Sequence, residues 1–258
     1  MKKSFFIFLI TITITLGIVA CSDKNESPDL PVDGLLDYEY VTETGDVVTL
    51  TFFISSVPSV EIPGTINYTN LRKCQAKTNY KVKIPETIEY AGFKFTVWNI
   101  TPRAFYQDKN LEAVSIPAGV RTIGNYDVFL GCENLTDVIF ADNSQLWWLG
   151  LSTFSGCKSL KSITIPAKVT SIEHEVFHNC ESLAKIDFAE GSRVRFIGHH
   201  AFAGCKSLTT ITLPSSVEQI DEYAFSDCDN LKTVILNSNP AIAPSAFPSN
   251  TSIVYNNQ

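Results

Sequence analysis

The chain has 258 residues, with 20 lysines and arginines against 27 aspartates and glutamates, 7 cysteines and a formal net charge of −7 at pH 7. An acidic balance of this kind argues against nucleic acid as a partner, since phosphate is neutralised by clustered lysine and arginine. The length left after the terminal segments described next, about 220 residues, suffices for one elongated domain, and no Gly/Ser-rich break divides it.

The chain opens with Lys2 and Lys3, continues through an apolar run from Phe5 to Ala20 and reaches Ile18-Val19-Ala20-Cys21. A basic start followed by a short apolar stretch is a signal peptide, not an element of the fold. At about 16 residues the run falls short of the roughly 20 needed to span a membrane. The small residue before Cys21 makes the site resemble the bacterial lipobox, which implies removal of residues 1–20 and diacylation of Cys21. A diacylated cysteine holds more lipid than one myristoyl chain, so stable membrane anchoring is expected. Removing Lys2 and Lys3 leaves 18 basic side chains (20 less 2) against 27 acidic ones, a formal charge of −9. Residues 21–35 begin with the polar run Ser22 to Pro28 and read as a flexible linker.

Residues 36–79 read as an N-terminal β cap, with alternation over Val47-Val48-Thr49-Leu50-Thr51-Phe52-Phe53 and a second run at Val60-Glu61-Ile62-Pro63. Residues 80–237 then repeat. Phe105, Phe129, Phe154, Phe177, Phe202, Phe225 and Phe247 follow one another at intervals of 24, 25, 23, 25, 23 and 22 residues. That period is the period of leucine-rich-repeat solenoids. Within a unit the apolar positions keep their offsets: Phe154, Cys157, Leu160, Ile163, Ile165, Val169 and Ile172 in one, Phe202, Cys205, Leu208, Ile211, Leu213, Val217 and Ile220 two units on.

Each unit carries a strand of the form Leu160-Lys161-Ser162-Ile163-Thr164-Ile165-Pro166, in which Ile163 and Ile165 face inward. Proline at 117, 166 and 214 ends the strand because it has no amide to give to the ladder. The stretch from Gly198 to Gly204 is too short for a free-standing helix and is expected to make one helical turn on the opposite side. The architecture predicted is thus a solenoid with parallel β strands on one side and short helical turns on the other. No unit can bury enough surface to stand alone, so stacking must hold the array and its ends need covers. Residues 238–258, rich in proline and asparagine, read as the C-terminal cap.

Cys132, Cys157, Cys180, Cys205 and Cys228 each stand three residues after a repeat phenylalanine and three before a leucine. Exported proteins commonly pair their cysteines, but an odd number stacked in one column cannot pair completely. Reduced thiols filling a small core position are the expectation. Cys74 stands outside the column; it is read as a buried cap residue, with a reactive thiol the alternative.

His174-Glu175-Val176-Phe177-His178 is a literal H-E-x-x-H, the zinc-protease signature when both histidines share one face of a sustained helix. Here Val176 and Phe177 occupy core positions of the repeat and the helix would be about one turn long. The motif is therefore read as a chance match with no metal, no cofactor and no catalytic residue assigned, and a zinc protease is kept as the remote alternative.

Outward strand positions are mostly small, as at Ala113, Ser115, Ser162, Thr164, Thr210 and Thr212. Aromatic and arginine side chains, which dominate binding energy at interfaces, occur instead in the two-residue step between the Val and Ile positions of each unit. They are Trp98, Arg121, Trp147, Trp148, Arg195 and Phe196, the candidate binding residues. Stacking would align them in a stripe. Trp147 and Trp148 are expected to point opposite ways, one exposed if the other packs; the alternative is that both fill space in the longer coils.

The combination Ala-Phe-x-x-Cys-x-x-Leu with Ile-Pro and Val-x-x-Ile resembles the BspA-like leucine-rich repeats of bacterial surface proteins, over about residues 80 to 236. Members of that family act in attachment to host matrix proteins or other cells. The resemblance implies a non-enzymatic lipoprotein, anchored to the outer membrane at the cell surface, that binds a protein partner. A glycan-binding lipoprotein serving nutrient capture is the alternative; a sugar would need one or two coplanar exposed rings.

Overall fold

The computed structural model describes residues 35–41, 47–54, 67–75 and 78–256. The expected signal peptide, Cys21, the linker up to residue 34 and the run at 60–63 lie outside the described residues.

Alternating apolar positions make strands because successive side chains leave an extended backbone on opposite faces. Strands β1 (Leu35–Val41), β2 (Val47–Phe53) and β3 (Asn67–Gln75) pair antiparallel in sequence, burying Val48, Leu50 and Phe52. Next come β4 (Tyr80–Lys83) and a hairpin of β5 (Thr87–Tyr90) with β6 (Phe93–Ile100). Each later coil adds two strands: β7 (Leu111–Ile116) and β8 (Thr122–Tyr126), β9 (Asp137–Phe140) and β10 (Trp148–Leu151), β11 (Ser162–Ile165) and β12 (Ser171–Ile172). They are followed by β13 (Lys185–Phe188) and β14 (Phe196–Ile197), β15 (Thr210–Leu213) and β16 (Gln219–Ile220), β17 (Thr233–Leu236) and β18 (Ala241–Ile242), then β19 (Ser252–Tyr255).

Equivalent strands pair in parallel from coil to coil, so the solenoid has two ladders. The first runs β3-β6-β8-β10 and continues through β12-β14-β16-β18. The second runs β4-β7-β9, then β11-β13, then β15-β17-β19.

The interruptions of the second ladder have a chemical cause. Residues that follow its strands donate back to the previous coil, Ala141 N to Ile116 O at 3.1 Å and Ala189 N to Ile165 O at 3.0 Å. At the same position β11 and β15 are followed by Pro166 and Pro214, which have no N–H. Both breaks fall where such a coil succeeds one with the longer turn, after Phe140 or after Phe188. They open grooves of about 790 and 540 Å³ across a face that the strand sequences alone present as flat.

The expected helical turns are not found; among the described residues no helix occurs. Each turn instead contains two left-handed residues four positions apart: Asp127 and Gly131, Ser152 and Gly156, Glu175 and Asn179, His200 and Gly204, Tyr223 and Asp227. The reason is where the amides go. An α-helix would send them four residues back along the chain, but here the phenylalanine amide bonds the next coil. Phe154 N reaches Val176 O at 2.9 Å, Phe177 N reaches Ala201 O at 2.8 Å and Phe202 N reaches Ala224 O at 2.8 Å. Inter-coil bonds thus claim the donors that a helix would need.

Inside these turns the repeat phenylalanines form one stack, with ring centroids 4.8 to 5.5 Å apart from Phe105 to Phe247 and planes within 24°. The column cysteines lie beside it, free and buried. Each thiol donates to the phenylalanine carbonyl one coil back: Cys132 to Phe105, Cys157 to Phe129, Cys180 to Phe154, Cys205 to Phe177 and Cys228 to Phe202, at 3.0 to 3.3 Å. A small side chain with a weak donor suits that position, because a larger one would part the coils. Burial pushes the Cys132 thiol up to about 12 and raises Cys157, Cys180 and Cys205 too, which keeps them protonated and unreactive.

Cys74 is buried on β3, and its sulfur lies 3.2 Å from the Tyr80 hydroxyl, which donates to Asp108 Oδ2 at 2.5 Å. Asp108 Oδ1 in turn accepts from Asn110 N at 2.9 Å. This polar chain ties the leading strands to the first coils. Burial raises the Cys74 thiol to about 12, so it is a structural group and not a nucleophile.

Candidate binding face

The first ladder places the six sequence-predicted residues in two adjacent columns. Arg121 N bonds Trp98 O at 2.8 Å, Trp147 N bonds Arg121 O at 3.0 Å, Thr170 N bonds Trp147 O at 3.4 Å and Arg195 N bonds Thr170 O at 2.9 Å. Trp98, Arg121, Trp147, Thr170 and Arg195 therefore stand on consecutive rungs, a run of about 19 Å at about 4.8 Å per rung. Trp148 pairs with Thr122, and Phe196 with Ser171, in the next column.

Trp147 is 47% exposed, whereas Trp148 and Phe196 are half-buried. The adjacent indoles do not separate to opposite sides of the sheet: their centroids lie 5.9 Å apart with planes tilted by 51°. Thr170 divides the stripe. On its N-terminal side are Trp98, Arg121, Trp147 and Trp148; on its C-terminal side Arg195 is held by Glu218 in a two-pronged ion pair at 2.8 and 2.7 Å. The two groups sharpen one another's charge, raising the guanidinium pKa and lowering the carboxyl.

Sequence reasoning missed the far end of the same strands. Tyr126 and Leu151 are 44% and 40% exposed and pair with each other across β8 and β10. Arg103 lies over the Tyr106 and Tyr126 rings at 5.1 and 5.5 Å. The signal available was positional: Tyr126 and Leu151 each stand three residues before a repeat phenylalanine, Phe129 and Phe154.

His174 and His178 do not share a helix face. Glu175 between them has a φ of 58° and the chain then dives into the core, with Val176 and Phe177 fully buried. His174 Nδ1 accepts the backbone N–H of His199 at 2.9 Å, so its lone pair is already engaged. That approach is close: a Cβ on Gly198 would meet His174 N at 2.9 Å. Among the described residues, no group of three or more histidine, cysteine or acidic side chains is placed to hold a metal ion.

Stacked parallel ladders with this phenylalanine, cysteine and leucine lattice define a leucine-rich-repeat solenoid. The chain belongs to the BspA type leucine rich repeat family, whose model matches it in six copies over residues 98–193 and 190–257. The match runs through β18 and β19, where Phe247 stacks on Phe225 at 5.0 Å. A leucine rich repeat protein of T. pallidum is 25% identical with a TM-score of 0.60, over 74% of this chain and 92% of that one. The pneumococcal vaccine antigen PcpA shares the fold at 19% identity and a TM-score of 0.56, over 76% of this chain and 49% of its own. No curated protein matches the chain.

Proposed function

We propose that this chain is a non-enzymatic surface lipoprotein that binds a protein partner through the face carrying Trp98, Arg121, Trp147, Trp148, Arg195 and Phe196. The observation that carries the reading is the rung-by-rung alignment of those side chains beside exposed Tyr126 and Leu151. Aromatic and arginine side chains grouped on a rigid sheet are the composition that dominates protein interfaces. The tilt of the two indoles weighs against a glycan, which stacks on flat or coplanar rings. The engaged lone pair of His174 weighs against a zinc protease.

In the same reading residues 1–20 are a signal peptide, Cys21 carries the lipid anchor, 21–35 is the linker, 36–79 and 238–258 cap the solenoid of 80–237, and the protein sits on the outer membrane facing outward. Mass spectrometry of the mature N-terminus tests the anchor: an unmodified terminus elsewhere than Cys21 removes it. The binding face is tested by Trp147→Ala. Cells displaying the variant should lose adherence to matrix-coated and cell-coated surfaces at least tenfold, while melting barely changes for so exposed a ring. Unchanged adherence with normal display would refute the face.

A further inference from the structure

All four histidines of the chain, His174, His178, His199 and His200, meet at one corner of the solenoid, where the binding face turns into the left-handed turns. The corner is built by residues 171–179, 198–204 and 219–227 of three successive coils. His178, His200 and Tyr223 form an outer run of stacked rings, at 6.0 and 5.4 Å. His199 stands edge-on to His200 and Tyr223 at 4.1 and 5.5 Å, and His174 touches Phe196 of the binding face at 6.1 Å.

The charges at this corner are one-sided. The three segments contain Glu173, Glu175, Asp221, Glu222 and Asp227 and no lysine or arginine. Glu173 accepts from Ser171 Oγ, Glu175 from Ser152 Oγ and Asp221 from Gln219 Nε2, all neutral donors. The neighbouring Arg195 is already paired with Glu218. His200 Nδ1 faces Ser226 Oγ at 3.3 Å. With neutral histidines the corner carries a formal −5, and with His178, His199 and His200 protonated −2.

The molecule shows elsewhere what such rings take. Three coils away Arg103 lies over Tyr106 and Tyr126 and pairs with Asp127. At the histidine corner, among the described residues, no arginine or lysine lies over the rings.

We propose that this corner receives a lysine- or arginine-bearing segment of the protein partner, and that its histidines weaken the attachment as the pH falls. Carboxylates supply the attraction, and the faces of Tyr223 and the imidazoles supply cation–π contacts. Acidification through the histidine range adds up to three positive charges, on His178, His199 and His200, against a cationic ligand, His174 Nδ1 being engaged by the His199 amide. Burial, then the neighbours His199 and His178, lower the His200 pKa. The proposal rests on the reading of this face as the docking surface.

The test uses an oligolysine peptide as probe and the full chain, by fluorescence anisotropy at low salt. Binding near pH 7.5 should weaken about tenfold near pH 5.5. Glu222→Gln with Asp227→Asn should weaken it about tenfold near pH 7.5, whereas Glu89→Gln with Glu190→Gln, remote from the corner, should not. His178→Gln, His199→Gln and His200→Asn together should flatten the pH response, asparagine tolerating the left-handed backbone at 200. If the triple variant does not fold, His199→Gln alone should reduce that response. Equal weakening by the remote pair would reduce the effect to net charge and overturn the proposal. A pH response that survives in the histidine variants would overturn it as well, as would failure of oligolysine to bind. Neither result touches adherence lost in Trp147→Ala, so the failure of the corner and the failure of the face are read separately.

Discussion

Replacing Phe177 with alanine cuts the phenylalanine stack at its middle. The ring is fully buried and lies between Phe154 at 5.5 Å and Phe202 at 5.3 Å, nearly parallel to both. Truncating a buried phenylalanine costs about 3–5 kcal/mol, and the two aromatic pairs lost, taken at the low end of about 0.5 kcal/mol each, bring the total to about 4–6 kcal/mol. At about 2–4 °C per kcal/mol for a domain of this size, melting should fall roughly 10–20 °C. Coils contact only their neighbours, so a cut at the centre uncouples the halves, and the transition should broaden or split. Phe247 is the comparator. It is only partly buried and stacks on Phe225 alone among the ring pairs described, so Phe247→Ala should lose about half as much and keep one transition. Calorimetry and urea unfolding of both variants decide the matter. Equal losses, or a loss below about 2 kcal/mol at Phe177, would refute the view that the stack couples the coils.

Two further outcomes follow from the side-chain chemistry. Cys157, Cys180 and Cys205 should resist iodoacetamide under native conditions and react fully only on unfolding, because burial raises their pKa values; rapid labelling of the folded protein, or a mapped disulfide between neighbours, would contradict it. His200 has its pKa lowered in the fold, first by burial and then by His199 and His178, so its unfolded form binds a proton more readily. Its contribution to stability is present above the unfolded value near 6.5 and is lost as the pH falls toward the folded one. His200→Asn should make the melting temperature fall less steeply between about pH 7 and pH 5, and an unchanged slope would exclude the effect.

What the sequence determined by itself was everything carried by a fixed offset. The interval between phenylalanines set the coil length, alternation set which isoleucines and valines turn inward, and the odd cysteine column argued against pairing. The step between Val and Ile puts Trp98, Arg121, Trp147 and Arg195 in a shared column, as the inter-coil hydrogen bonds do. Such features follow from one coil's own geometry repeated, so they are legible along the chain. Tertiary structure decided what depends on the coil next door. Whether Phe154 N bonds within its turn or reaches Val176 O is a choice between neighbours, and it replaced the expected helical turns by left-handed ones. The breaks beside Pro166 and Pro214, the chain from Cys74 through Tyr80 to Asp108, and the side-by-side packing of Trp147 and Trp148 arise in the same way. So does the meeting of four histidines that the sequence distributes over two separate coils. Inter-coil hydrogen bonds and packing join residues some 23 to 28 positions apart, and no local pattern records which of their groups will face each other.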